Sequence, residues 1–155
     1  MEPNSFQNQI VETLAIQHRI VLYVLDEVAE DSWSKKVERS KTPCGHFCHI
    51  HNVRLMWLKS AEPALLDGLA KLEGVESKSV VREHLEASAK AMETMLDNAL
   101  TSGRLKGFKP HPVAFLGYIV SHETFHRAQV ELSLRQLGTP LHDKVSYGQW
   151  EWGTR

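Results

Sequence analysis

His122 and His126 are the residues whose types and spacing first suggest chemistry. They lie in SHETFHRAQV (residues 121–130), and His122-Glu123-Thr124-Phe125-His126 fits H-E-x-x-H, the helix-borne zinc motif of metalloproteases. On an α-helix the two imidazoles stand about 40° apart and roughly 6 Å along the axis, so both can reach one ion. Nine histidines in 155 residues give on the order of half a pair at this spacing by chance, so the pair alone does not establish a metal. Two core histidines satisfied by hydrogen bonds remain the plainer alternative.

A metal centre with chemistry usually has three protein ligands and an open position. The protease reading needs its third ligand downstream, but six residues past His126 stands Leu132, and Glu151 lies in a tail with no obvious supporting helix. Glu123, about 100° round from His122, is expected to face solvent. Upstream, PCGHFCHIHNVRLMWL (43–58) offers His46, His49 and His51. His49 shares a face with Gly45, Val53 and Met56, which we read as the inward stripe; His46 falls about 60° to one side and His51 about 200° round, on the outer half. One histidine from this helix and two from an antiparallel neighbour would make a facial three-nitrogen site in a bundle core. Cys44 and Cys48 could instead join His46 or His49 around zinc. Cys44-x-x-x-Cys48-His49 is one residue too long for a haem-attachment sequence, and small helix-packing residues are the simpler account of the pair.

Four amphipathic segments must position these side chains. Residues 5–29 carry an apolar stripe (Phe6, Ile10, Leu14, Val21, Leu25, Val28) interrupted by Gln17. A second helix begins near Thr42-Pro43 and runs to about residue 60, with Thr as cap and Pro in the first turn. A third spans about 78–101, and a fourth about 113–137, stopped by Gly138 and Pro140. Residues 30–42 and 102–112 read as connections, and 61–77 as the longest one, with room for one helical turn. No convincing strand or repeat is present. The pattern predicts an all-α four-helix bundle as one domain over 1–155, with a long connection between helices 2 and 3 that suits a crossover between parallel neighbours.

Eighteen Lys and Arg nearly balance 19 Asp and Glu, so no strong field draws the chain to nucleic acid or to an anionic membrane. The N-terminus lacks a signal-peptide pattern and no apolar stretch approaches 18 residues, which predicts a cytoplasmic protein with reduced cysteines. Gln17, Gln129 and Ser133 are candidates to hydrogen-bond a bound water or orient a ligand imidazole. Arg54 and Arg127 are candidates to contact an anionic substrate, with salt bridges as the commoner role. Trp150 and Trp152 are expected to cover one end of the bundle or a dimer seam.

HIHNVRLMWL, SHETFHRAQVELSLRQLG and the terminal YGQWEWGTR, in this order over essentially the whole chain, resemble the DinB family of bacterial four-helix proteins. The most specific parts are His49 followed eight residues later by Trp57, and H-x-x-x-H-R-x-Q running into L-R-Q-L-G. The resemblance implies one divalent metal, nickel or zinc, on His49, His122 and His126, and a homodimer. The wider superfamily includes bacillithiol S-transferases and a mycothiol-dependent maleylpyruvate isomerase. That implies transfer of a low-molecular-weight thiol to a small electrophile, or a related hydrolysis. A non-catalytic metal-binding stress-response protein is the alternative, and an HExxH metalloprotease a minor one.

Overall fold

Local capping chemistry sets the ends of the long helices. In the computed structural model, which describes residues 5–155, α1 (Phe6–Glu27) starts where the Ser5 hydroxyl accepts from the Asn8 amide. A short α2 (Glu30–Trp33) follows. α3 (Pro43–Ala61) starts at Thr42, whose hydroxyl accepts from the Gly45 amide, with Pro43 in the first turn. α4 (Lys78–Ser102) is capped by Ser77 and ends at Gly103 in the left-handed conformation. α5 (Pro112–Gln136) is capped by the His111 ring, and α6 (Asp143–Gly148) by the His142 ring. The four long helices lie within a residue or two of their predicted ends. Residues 63–66 form the single helical turn expected in the long connection. α2 and α6 were not expected. α2 forms because Trp33 is drawn inward, stacking on Phe47 at 5.7 Å and donating from its indole nitrogen to the Glu76 carbonyl.

Side-chain pairs give the directions. Between α3 and α4, Cys44 meets Glu76, His51 meets Ser88 and Glu62 meets Asn98, so both chains advance together and the helices are parallel. Between α1 and α4, Gln7 meets Asp97 and Asp26 meets Arg82, an antiparallel pair. Between α3 and α5, His46 meets His126 and Trp57 meets Phe115, again antiparallel. The bundle is therefore all-α with a crossover linking parallel α3 and α4, as predicted.

The core is split along the bundle axis. One apolar cluster gathers Val21, Leu25, Phe47, Ile50, Leu85, Val130 and Leu134. Another gathers Ile10, Leu14, Leu58, Met92, Met95, Phe115 and Ile119. Between them each long helix contributes buried polar groups: Gln17 and His18, His51 and Arg54, Ser88, and Glu123.

The inward face of α3 differs from the prediction. Cys44, Phe47, Cys48, His51, Arg54, Leu55 and Leu58 are buried, whereas Met56 is 52% exposed and His49 and Val53 are half-buried. The stripe holding His49 therefore runs along an edge of α3. His51, expected on the outer half, is fully buried: its Nδ1 meets the Ser88 hydroxyl, and its Nε2 donates to the Ala70 carbonyl at 2.8 Å in the crossover. Asn52 fastens the same segment by two hydrogen bonds to the Leu72 backbone.

Burial holds His18 well below its usual 6.5, with Arg54 and Arg19 adding to the effect, and burial also lowers His51. Both are therefore neutral when folded, while the unfolded chain takes up protons as pH falls through about 6.5. The stability these groups confer is fully present above that pH and is lost below it. The urea midpoint of chelator-treated protein should fall between pH 7.5 and pH 5, and His18→Gln should flatten that dependence. A midpoint rising on acidification would contradict this account of the core.

Candidate metal centre

His46 and His49 on α3 and His122 and His126 on α5 each sit one turn apart, and antiparallel packing interleaves them. One ring nitrogen from each of His49, His122 and His126 lies within 4.8 Å of the other two. Ring centroids are 4.6 Å apart for His49–His126 and His122–His126, and 5.4 Å for His49–His122. His126 is buried at the back, while His49 and His122 are half-buried, so the cluster opens to solvent on one side. Tyr118 lies nearly parallel to the His122 ring, and Trp57 packs edge-on against Phe115 and Tyr118 behind it. Phe125, 59% exposed, stands edge-on to His126 at the rim.

His46, weighed from the sequence only as a zinc partner of the two cysteines, stands instead beside the three-histidine cluster. Its Nδ1 is 3.0 Å from Nδ1 of His126, so one of the two donates and the other accepts. If His126 donates, its Nε2 lone pair is left for an ion and its ring is held in place. The signal was available: His46 precedes His49 by one turn, as His126 follows His122 by one turn, and antiparallel helices bring those outer members together.

The electrostatics suit neutral ligands. Burial, then the neighbouring His122, His49 and His46, lowers His126 to about 3, and burial lowers His46 to about 4. Burial also lowers His49 and His122. Neutral imidazole is the form that binds a metal. Nδ1 of His122 is buried without a hydrogen-bond partner, an orphan acceptor or donor at the cluster itself. The donor set therefore fits one divalent ion, with His49, His122 and His126 as the residues that could hold it.

Glu123 does not face solvent, which corrects the prediction. It is fully buried, and its Oε1 accepts from Nε of the equally buried Arg54 at 2.7 Å. Gln17 approaches its other oxygen at 3.5 Å. The 100° step from His122 leads toward α1 because the apolar side of α5, with Val130 and Leu134, lies there. A carboxylate tied to a guanidinium in the core cannot serve as general base at the histidines, and no strand occurs among the described residues to hold a peptide. The geometry thus gives the protease reading no support.

Arg54 also donates to the Leu85 carbonyl, so it is a core counter-ion, and Gln17 belongs with it rather than with the imidazoles. Gln129 and Ser133 have no hydrogen bond to the three rings among the described residues. Cys44 and Cys48 are free thiols with sulfurs 3.8 Å apart, and they join no metal-binding group with His46 or His49 among the described residues.

The model of the DinB family matches residues 1–152. The chain belongs to the DinB family. No curated protein and no solved structure matches it significantly. In this DinB-family bundle, no described helix is long and apolar enough to cross a membrane.

Two predictions follow from these contacts. Arg54→Met leaves the Glu123 carboxylate buried and unpaired and should cost about 3–5 kcal/mol of stability, whereas adding Glu123→Leu should recover most of that; urea denaturation of the two variants measures it. His46→Ala should weaken metal affinity on the order of 10–100-fold, read by competition with a chromophoric chelator. Unchanged affinity would remove His46 from the site.

Proposed function

We propose that this DinB-family protein binds one divalent ion, nickel or zinc, on His49, His122 and His126, and transfers a low-molecular-weight thiol to a small electrophile. The observation that carries the reading is the convergence of three neutral imidazoles on a cluster open to solvent on one side. A bound dication would lower the pKa of an incoming thiol and present it as thiolate at neutral pH. The chain's own residues do the rest. His46 fixes the orientation of His126, burial keeps the imidazoles free of protons, and Tyr118 and Phe125 provide apolar walls for the electrophile.

Thiol transfer is favoured over hydrolysis by Glu123. With that carboxylate engaged by Arg54, none of the hydrogen bonds among the described residues places a carboxylate on the three rings. A thiolate stabilised by the ion needs no base at the moment of attack, whereas activated water commonly uses one. The proposal includes a homodimer in the cytoplasm. The free cysteines are consistent with a reducing compartment, and the exposed Met56, Phe125 and Leu132 supply apolar surface for association.

Elemental analysis of purified protein tests the metal directly. About one divalent ion per chain is expected, lost in His49→Ala and His122→Ala while far-ultraviolet circular dichroism stays unchanged. Wild type that holds no ion after reconstitution would defeat the proposal. Loaded protein is then offered cysteine, glutathione, bacillithiol or mycothiol with monochlorobimane. Fluorescent conjugate should form with one of them at a rate that depends on the ion and on His122. Ester cleavage without conjugation would move the assignment to a hydrolase, and neither activity would leave a non-catalytic metal-binding protein.

A further inference from the structure

α5 presents a second group of polar side chains on the flank away from the histidines. Taking about 100° per residue, Thr124, Arg127 and Glu131 lie between about 140° and 200° round from His122. A cavity of about 650 Å³ runs there, between α5 and residues 140–152, with Tyr147, Trp150 and Trp152 on its other wall. That size suits a small organic molecule.

Arg127 is the unusual member. It is only 7% exposed, yet none of the ion pairs among the described residues includes it. Its Nη1 donates to Oε1 of Gln149 at 2.9 Å and its Nη2 to the Thr124 hydroxyl at 3.2 Å, both neutral acceptors. Its Nε is buried without a partner. The protein's other deeply buried arginine, Arg54, has the Glu123 carboxylate at 2.7 Å. A buried guanidinium with no carboxylate among the described residues within 4.0 Å, supported only at longer range by Glu123 and Glu131, is costly, and here it borders a cavity. Gln149 is held in turn by donating to Glu131 at 2.7 Å, which keeps its oxygen turned to Arg127. Across the cavity Tyr147 and Trp150 are 73% and 80% exposed, large aromatic surfaces with a use once an apolar body lies on them.

We propose that this groove binds a small organic monoanion: a carboxylate on an apolar, preferably aromatic, body. The carboxylate pairs with Arg127, whose planar fork suits it, and the body lies on Trp150 and Tyr147. Glu131 and Asp143 also line the groove and offset the charge of Arg127 and of Arg135, which lines it too, so a single negative charge suits it better than a multiply charged anion such as a polyphosphate. The site uses none of the four histidines and stands whether or not the metal proposal does.

The probes are 2-naphthoate and its neutral counterpart 2-naphthamide, titrated into full-length protein by calorimetry with tryptophan fluorescence in parallel. Wild type should bind naphthoate at least tenfold more tightly than naphthamide, and His122→Ala should do the same. Arg127→Met, which replaces the buried charge with an apolar chain of similar length, should abolish that preference, whereas Arg39→Met, remote from the groove, and Arg135→Met, which removes the other arginine lining it, should both keep it. Trp150→Ala at the exposed wall should weaken both probes together, which keeps the test open if Arg127→Met fails to fold. Equal affinity of wild type for the two probes, no binding of either, or an unchanged preference in folded Arg127→Met would each overturn the proposal.

Discussion

The buried ion pair between Arg54 and Glu123 is the constraint on which the arrangement of α3 and α5 depends. It lies in a polar layer between two apolar clusters, so sliding one helix along the other would push a guanidinium or a carboxylate into hydrocarbon. A slip of one turn is about 5.4 Å, more than the 4.6 Å that separates the His49 and His126 rings. Since Glu123 adjoins His122 in the chain, the register that satisfies the pair is also the register that gathers the imidazoles. A buried pair is weak evidence for net stability, because an apolar replacement can equal it. Its contribution here is to make one alignment of two helices far better than its neighbours.

This layer also accounts for what the sequence did and did not disclose. Helix ends were legible because caps are local: Thr42 with Pro43 and Gly138 act on their own neighbours. The convergence of His49, His122 and His126 was legible because i,i+4 spacing and the DinB motifs both point to it. The facing of α3 was not. That helix is covered by α4, by α5 and by the crossover, so buried residues surround most of it, and the His49 stripe was mistaken for the inward one when it borders solvent. Glu123 was misjudged for a related reason, since a charged residue one step from a ligand was assigned to water although the apolar side of α5 lies in that direction. Arg127 was a candidate for an anion from the sequence, but the groove beside it was not legible, because its far wall is made by α6 and the tail, whose packing is a tertiary matter.

The proposed ligands show the same trade between stability and readiness. Burial lowers His126 to about 3 and His46 to about 4, so at neutral pH no proton has to leave before an ion can bind. The cost appears on the acid side, where the unfolded chain takes up protons that these rings refuse. His126, at the back, meets His46 and is screened from water, while His49 and His122 stay half-exposed. A cluster closed on all sides would serve a structural ion. One closed behind and open in front leaves a face from which the proposed thiol and electrophile can approach, with Tyr118 and Phe125 beside it. That asymmetry comes from the antiparallel pairing of α3 with α5 at the surface of the bundle, and a site centred among all four helices would have lacked it.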